Sequence, residues 1–356
     1  MSHTSRTRRA RTLDRRPPST QPSARSWRLL AGAAAGALVL TACGGGGLTT
    51  DAGDEAAEPA AEGEALPGGQ LSIATGGTGG VYYPLGGGFA TVIGDNVEGY
   101  TATVQETNAS VDNMLLVSSG QADLAFSVGD VAADAVEGEG DFEEPLDVCS
   151  IGNTYDNFMQ PITTTGTGIT SIEDLKGKRV SVGAPGSATE VLALRLLELA
   201  GIDPAADIER AQLGAAETVE ALRDKTIDAG FWSGGLPTGA LVDLASSGEL
   251  VIIPHGDYED ELQSEFGDYY YAEDIPADTY QGQTKPVSVI ASPNVLVASP
   301  SMPEELQRLI AEAIFENKEQ LTKVHPAAAE LDPGTAADIE FMDTCPGAQE
   351  YFDSAG

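Results

Sequence analysis

An α/β fold built as two similar lobes, each a sheet flanked by helices with a ligand cleft between them, is predicted by three features of this sequence. Beyond Gln70, short apolar strand patterns alternate with helical ones. That order recurs about 105 residues later, with Gln-Ala-Asp123-Leu-Ala-Phe126 answered by Thr-Ile-Asp228-Ala-Gly-Phe231. Both copies set a glycine-rich loop at the same strand-to-helix turn, and in open α/β sheets ligands bind outside the carboxyl ends of strands.

The first copy opens with the strand LSIATG, followed by the glycines of GGTGG and a helix that begins near Tyr82 or Pro84, proline being suited to a first turn. TATVQET is the next strand. NASVDNMLLVSSG is a helix with a polar start at Asn108 or Ser110 and a glycine stop at Gly120. DLAFSV closes the unit as a third strand. In the second copy, KRVSVGAPGSATEVLALRLLELAG gives a strand, a Gly-Pro-Gly loop and a helix opened by Ser187, with Glu190 at capping-box spacing. IERAQL, AAETVEALRD and IDAGFWS supply the next strand, helix and strand. The Tyr269-Tyr270-Tyr271 run reads as a packed crossover.

The first glycine loop excludes one phosphate chemistry and argues against a second. A Walker-type phosphate loop requires lysine then Ser or Thr after its last glycine, where this chain has Val81 and Tyr82. A dinucleotide fingerprint requires Gly-x-Gly-x-x-Gly, a spacing that Gly76-Gly77-Thr78-Gly79-Gly80 does not give. What remains is close backbone approach and the anion preference of helix-start amides, with Tyr82 and Tyr83 adding apolar walls tipped by hydroxyls. This suits a small carboxylate. Gly183-Ala-Pro-Gly-Ser187-Ala-Thr189 offers the same kind of helix start on the facing side, with two hydroxyls. Plainer roles stand beside these: Tyr83 as core, Asn108 and Ser110 as helix caps, and Trp232 as a prop between lobes instead of a ligand wall. Beyond the leader the histidines are His255 and His325, neither in a metal-ligand spacing, and no nucleophile elbow or Cys-His pair occurs. The chain is read as a binding protein, with no cofactor and no metal.

Charge is distributed unevenly. Residues 1–42 hold eight arginines and one acid; the remainder has 11 basic against 54 acidic residues, a formal charge near −43. Such a surface excludes nucleic acid as a partner. WRLLAGAAAGALVLT, led by arginines and ended by LTAC, has the order of a secretory leader and is shorter than the roughly 20 apolar residues of a bilayer span. Leu40-Thr41-Ala42-Cys43 resembles a bacterial lipobox, implying cleavage before Cys43 and lipidation of its thiol; a plain secreted protein is the alternative. Residues 44–69 lack aromatic residues and read as an acidic tether. Cys149 and Cys345 either pair or remain buried thiols, pairing being preferred in an oxidising compartment.

ATGGTGGVYYPLGGGFA, ETNASVDNMLLVSSGQADLAF, SIEDLKGKRVSVGAPGSATEV, the GLPTGA turn, YQGQTKPVSVIASPNVLVAS and IFENKEQL followed by HPAA together resemble the TAXI family of substrate-binding proteins, which serve TRAP transporters. The resemblance spans residues 70 to about 352. It implies a two-lobed periplasmic-binding-protein fold (type II-like) and capture of a small organic anion such as glutamate or 2-oxoglutarate for delivery to a TRAP membrane permease. The alternative is a receptor of an ABC importer. The implied division is a leader over 1–42, a lipidated Cys43 and tether over 43–69, one lobe over 70–158, the second over 159–258, and a crossover with the rest of the first lobe over 259–356. The protein would sit on the outer face of the cell membrane, held by the lipid at Cys43. Carried over onto this sequence, the site comprises Thr75, Gly76, Gly77, Thr78, Gly80, Tyr82, Tyr83, Asn108, Ser110, Ser187, Thr189, Trp232 and Pro237. Two departures bear on specificity: Val128-Gly129 stands where relatives commonly read Gln-Ser, and Leu192-Ala193-Leu194 where many read Asn-Ala-Arg. If these positions face the cleft, the pocket is less polar than in relatives.

Overall fold

The computed structural model describes residues 66–355. The leader, Cys43 and the tether as far as residue 65 lie outside the described residues. The strands are β1 Gly69–Ala74, β2 Tyr100–Gln105, β3 Leu124–Val128, β4 Cys149–Met159, β5 Ile162–Thr164, β6 Arg179–Ser181, β7 Glu209–Ala211, β8 Ala229–Gly230, β9 Ser233–Gly234, β10 Leu250–Ile252, β11 Tyr271–Ile275 and β12 Val287–Ala298. The helices are α1 Tyr82–Asn96, α2 Ser110–Ser118, α3 Gly129–Glu137, α4 Ala188–Leu199, α5 Ala215–Arg223, α6 Gly239–Ser246, α7 Glu259–Phe266, α8 Glu304–Phe315, α9 Lys318–Val324 and α10 Pro346–Ala355. None of them is long and apolar enough to cross a membrane.

Two sheets organise the chain, one of seven strands ordered β2-β1-β3-β12-β4-β9 with β11 on β12, the other of five ordered β10-β5-β8-β6-β7. The internal repeat is visible in both. β1 lies between β2 and β3, all parallel, and β6 lies between β7 and β8 in the same way. The two repeated aspartates do the same work. Asp123 accepts the backbone N–H and the hydroxyl of Ser72 on β1, and Asp228 accepts the N–H and guanidinium of Arg179 on β6. Each carboxylate thereby fastens the end of the third strand to the first.

IDAGFWS, read as one strand, is two. β8 belongs to the second sheet and β9 to the first, because the chain crosses between sheets at Phe231 and Trp232. A second crossing, at Gln160 and Pro161, joins β4 to β5. The crossings are bonded to one another: Gln160 N–H donates to the Trp232 carbonyl at 2.6 Å, and Trp232 N–H to the Gln160 carbonyl at 3.2 Å. Tyr270, from the tyrosine run, is fully buried against the second sheet, while Tyr271 opens β11.

Cys149 and Cys345 form a disulfide, joining the start of β4 to the residue before α10 across 196 positions of sequence. A loop of that length leaves the unfolded chain much freedom to lose on cross-linking. Replacing both cysteines with alanine should lower unfolding free energy by roughly 3 to 5 kcal/mol, read from denaturant melts.

His255 is 3% exposed. Its Nδ1–H donates to the Ile253 carbonyl and its Nε2 accepts the Ile290 N–H, which fixes a neutral ring. Burial drops its pKa to about 4. Above the ordinary pKa both folded and unfolded chains hold it neutral; between there and about 4 only the unfolded chain takes up the proton. Stability should therefore fall by roughly 3 kcal/mol as pH descends through that window. His255→Gln should remove this part of the acid dependence, and an unchanged pH profile in that variant would refute the assignment.

Candidate functional site

Four helix starts converge on one cavity of about 370 Å³. The loop 76–80 leads into α1, and 106–109 into α2. From the second sheet's side, 184–187 leads into α4 and 212–214 into α5. The first amides of any helix have no partner within it, and together they carry the positive end of the helix dipole. Tyr155 and Asn157 of β4, with Trp232 and Ser233 from the crossing, complete the lining. Backbone bonds span the two sides: Val111 N–H donates to the Gly186 carbonyl at 3.1 Å, and Ala240 N–H to the Gly79 carbonyl at 3.4 Å.

The glycines of the first loop serve close approach. None of Gly76, Gly77, Gly79 and Gly80 has positive φ. A Cβ on Gly80 would stand 2.9 Å from the Trp232 ring, and one on Gly79 would press on Ala216 at 3.2 Å. Gly183, in the facing loop, is different: its φ of 105° is a conformation that side chains oppose, and a Cβ there would strike Thr189 at 2.7 Å. Ala109 is held at φ 80° without being glycine, a strained position beside the cavity.

Of the residues expected at the site, Gly76, Gly77, Thr78, Gly80, Tyr82, Asn108, Ser110, Ser187, Thr189 and Trp232 line the cavity. Three do not. Thr75 is buried beneath the loop, with its hydroxyl donated to the Gln105 carbonyl at 2.8 Å. Tyr83 is on the part of α1 turned away from the cavity lining and is half-buried. Pro237 lies outside, its carbonyl facing His325 Nε2 at 3.3 Å.

Several hydroxyls that line the cavity are already engaged. Ser187 Oγ donates to the Ala184 carbonyl and accepts the Glu190 N–H, while the Glu190 carboxylate accepts the Gly186 N–H in place of the Ser187 N–H of a standard capping box. Ser110 Oγ accepts the Val128 N–H at 3.2 Å, and Thr189 Oγ1 the Ser233 N–H at 3.1 Å. Each ties its helix start to a neighbouring strand. Tyr82 stacks on Phe126 and donates its hydroxyl to Asn294 Oδ1; burial raises its pKa, which keeps it a donor.

Tyr155 differs. It is 2% exposed, its pKa is raised by burial, and its hydroxyl has no hydrogen-bond partner. The charged residues of the lining are Glu106 and Glu217, both exposed; among the described residues no Lys, Arg or His lines it. No group of three or more His, Cys, Asp or Glu is arranged to hold a metal among the described residues.

Of Val128-Gly129, Val128 lines the cavity and presents an apolar side chain, while Gly129 does not line it. Leu192, Ala193 and Leu194 pack into the second sheet's core and do not reach it. Sequence reasoning missed Tyr155, Asn157, Ser233, Glu106 and the 212–217 segment. The repeat carries the signal for the last: the offset of 105 sets Ala109 on Gly214 and Ser110 on Ala215. Tyr155 and Asn157 share a face of β4 by simple alternation.

A family model described as the NMT1-like family matches residues 73–356. The chain belongs to the NMT1-like family. In fold, this NMT1-like chain is similar to the alkanesulfonate-binding protein SsuA from Xanthomonas axonopodis pv. citri, bound to MOPS, at 16% identity and TM-score 0.48, covering 82% of this chain and 85% of that one. It is also similar to the periplasmic aliphatic sulphonate binding protein SsuA from Escherichia coli at 15% identity and TM-score 0.43, covering 81% and 84%. A third similarity is to an ABC uptake transporter substrate binding protein from Streptococcus pneumoniae with bound histidine, at 14% identity and TM-score 0.46, covering 72% and 92%.

Two glycines of the loop should respond oppositely to alanine. Gly80→Ala has to displace the Trp232 ring and should cost about 1 to 3 kcal/mol of stability. Nothing lies within 4 Å of a Cβ at Gly77, so Gly77→Ala should stay within about 0.5 kcal/mol of the parent in the same melts.

Proposed function

We propose that this NMT1-like protein is an extracytoplasmic solute receptor that captures a small organic anion, glutamate-like or 2-oxoglutarate-like, and delivers it to a TRAP-type membrane permease. The observation that carries the proposal is the convergence of four helix starts on one cavity. Backbone amides of the first turns hold the carboxylate without any cationic side chain. The Tyr155 hydroxyl, buried and unpartnered, donates a further bond. Tyr82 and Trp232 cover the apolar part of the ligand, and Val128 sets a wall that makes no hydrogen bond through its side chain. Glu106 and Glu217 stand at the exposed rim, so the positive potential for the ligand comes from the amides.

In this proposal the lobes are residues 70–158 with the C-terminal part of 259–356, and residues 159–258. The TRAP assignment is supported by the sequence motifs shared with TAXI receptors. Anchorage is through lipid on Cys43, with 44–69 as tether. The residues lining the cavity bind and orient a solute, and no step of chemistry is assigned to them.

A ligand that binds the folded chain at about a hundred times its Kd should stabilise it by about 2.7 kcal/mol. A thermal-shift screen of monocarboxylates, dicarboxylates and amino acids should find such a solute, and a screen in which no anion raises the melting temperature would overturn the receptor proposal. Tyr155→Phe should weaken the solute found by about fivefold to tenfold, the value of one hydrogen bond, while leaving the ligand-free melting temperature close to the parent's.

A further inference from the structure

The GLPTGA turn stands out in the sequence, yet neither Pro237 nor Thr238 lines the cavity. Thr238 is fully buried at the N-cap position of α6. A threonine there ordinarily turns its oxygen onto an amide of the helix's first turn. Thr238 makes no such cap. Its hydroxyl donates to the Gly235 carbonyl at 2.9 Å and accepts the indole Nε1–H of Trp232 at 3.0 Å.

The rest of the turn extends that contact. Thr238 N–H donates to the Tyr280 hydroxyl at 3.0 Å, and that hydroxyl donates to Gln160 Oε1 at 2.6 Å. Tyr280 is 2% exposed and Gln160 fully buried. Gln160 in turn exchanges both backbone bonds with Trp232. The circuit closes: one end of Trp232 is held through its backbone by Gln160, and the other through its indole by Thr238, with Tyr280 between them. Around the ring, a Cβ on Gly80 would stand 2.9 Å from it and one on Gly234 would stand 2.7 Å from Nε1. The indole occupies a slot, and the hydrogen bond to Thr238 selects its orientation.

We propose that Thr238 is a positioning residue: its hydroxyl fixes the Trp232 indole as a wall of the cavity, and Tyr280 and Gln160 tie that wall to the crossing between the two sheets. The functional meaning rests on the proposal that this cavity receives the solute. The placement of the indole is tested without any solute. Thr238 makes no helix cap and accepts instead from a side chain that lines the cavity.

The experiment uses the full chain carrying Trp27→Phe, which leaves Trp232 as its single tryptophan, with acrylamide as the probe. Thr238→Val keeps the side chain's shape and removes the acceptor. Its acrylamide quenching constant should rise at least about twofold and its near-ultraviolet circular dichroism should weaken, as a freed aromatic ring samples other rotamers. Thr238→Ser should restore both signals. Quenching and dichroism in Thr238→Val equal to the parent's would overturn the proposal. Should Thr238→Val not fold, hydrogen exchange of the Trp232 indole proton in the parent decides. Slowing by more than about tenfold against free indole supports the bond to Thr238, and exchange at the free rate overturns it. A solute screen that found nothing would sink the receptor proposal and leave these signals as they are.

Discussion

A chain that passes between two sheets must satisfy its backbone polar groups at each crossing, where neither sheet's ladder continues. Here the two crossings at Gln160 and Trp232 satisfy one another by exchanging N–H···O bonds. The pairing fixes where β4 ends and β5 begins, and where β8 ends and β9 begins. It also sets Trp232 against the glycine loop, because the residue that completes the crossing is the one whose ring reaches Gly80. The need for a residue without a side chain at position 80 follows from where that bond sets the ring, and the ring's Nε1–H reaches Thr238 of the GLPTGA turn.

A second constraint acts from behind the cavity. Asp130 and Asp134 on α3 face Arg195 on α4, with Tyr270 between: Arg195 donates to Asp134 at 2.6 Å and to the Tyr270 hydroxyl at 2.8 Å, and that hydroxyl donates to Asp130 at 2.7 Å. Two carboxylates share one guanidinium in a buried place. Burial pushes Asp130 upward and Asp134 to about 6 against the pull of Arg195. A buried ion pair of this kind adds little net stability, but its geometry is specific, since displacing any member leaves a charge without a partner. The residue preceding α3, Val128, and the first residues of α4 both line the cavity. The network therefore joins α4, whose start lines the cavity, to α3, which follows the lining residue Val128.

The sequence made the repeat legible because its two copies keep the same load on the same residue type. Asp123 and Asp228 each fasten a third strand to a first, which requires an acceptor at that position and tolerates either serine or arginine opposite it. The helix starts were legible for a similar reason, as glycine and small polar residues are needed where a strand turns into a helix. Tyr155 and Asn157 were not legible. They lie on a strand whose alternation marks two faces without saying which one meets a cavity, and only the pairing of β4 with β12 and β9 decides it. Thr75 and Tyr83 misled for the converse reason: adjacency to a glycine loop in sequence brought them near the site, while a hydroxyl turned onto Gln105 and a helical rotation took them out of it.

A strongly acidic protein that binds an anion has to find positive potential without drawing on its few cations. Among the described residues every arginine is occupied: Arg179 with Asp228, Arg195 with Asp134, Arg210 with Glu190, Arg223 with Asp243, and Arg308 with two glutamates. Helix starts supply positive potential at no cost in net charge and without a flexible side chain to immobilise. Their weakness is short range, as the effect fades beyond the first turn. Several starts must then be brought within reach of one ligand, and walls must keep water from screening them. Two sheets carrying the same strand-loop-helix unit, turned toward each other and joined through Gln160 and Trp232, meet both requirements. Under the proposed function, the duplicated architecture and the use of amides in place of arginines answer one electrostatic problem.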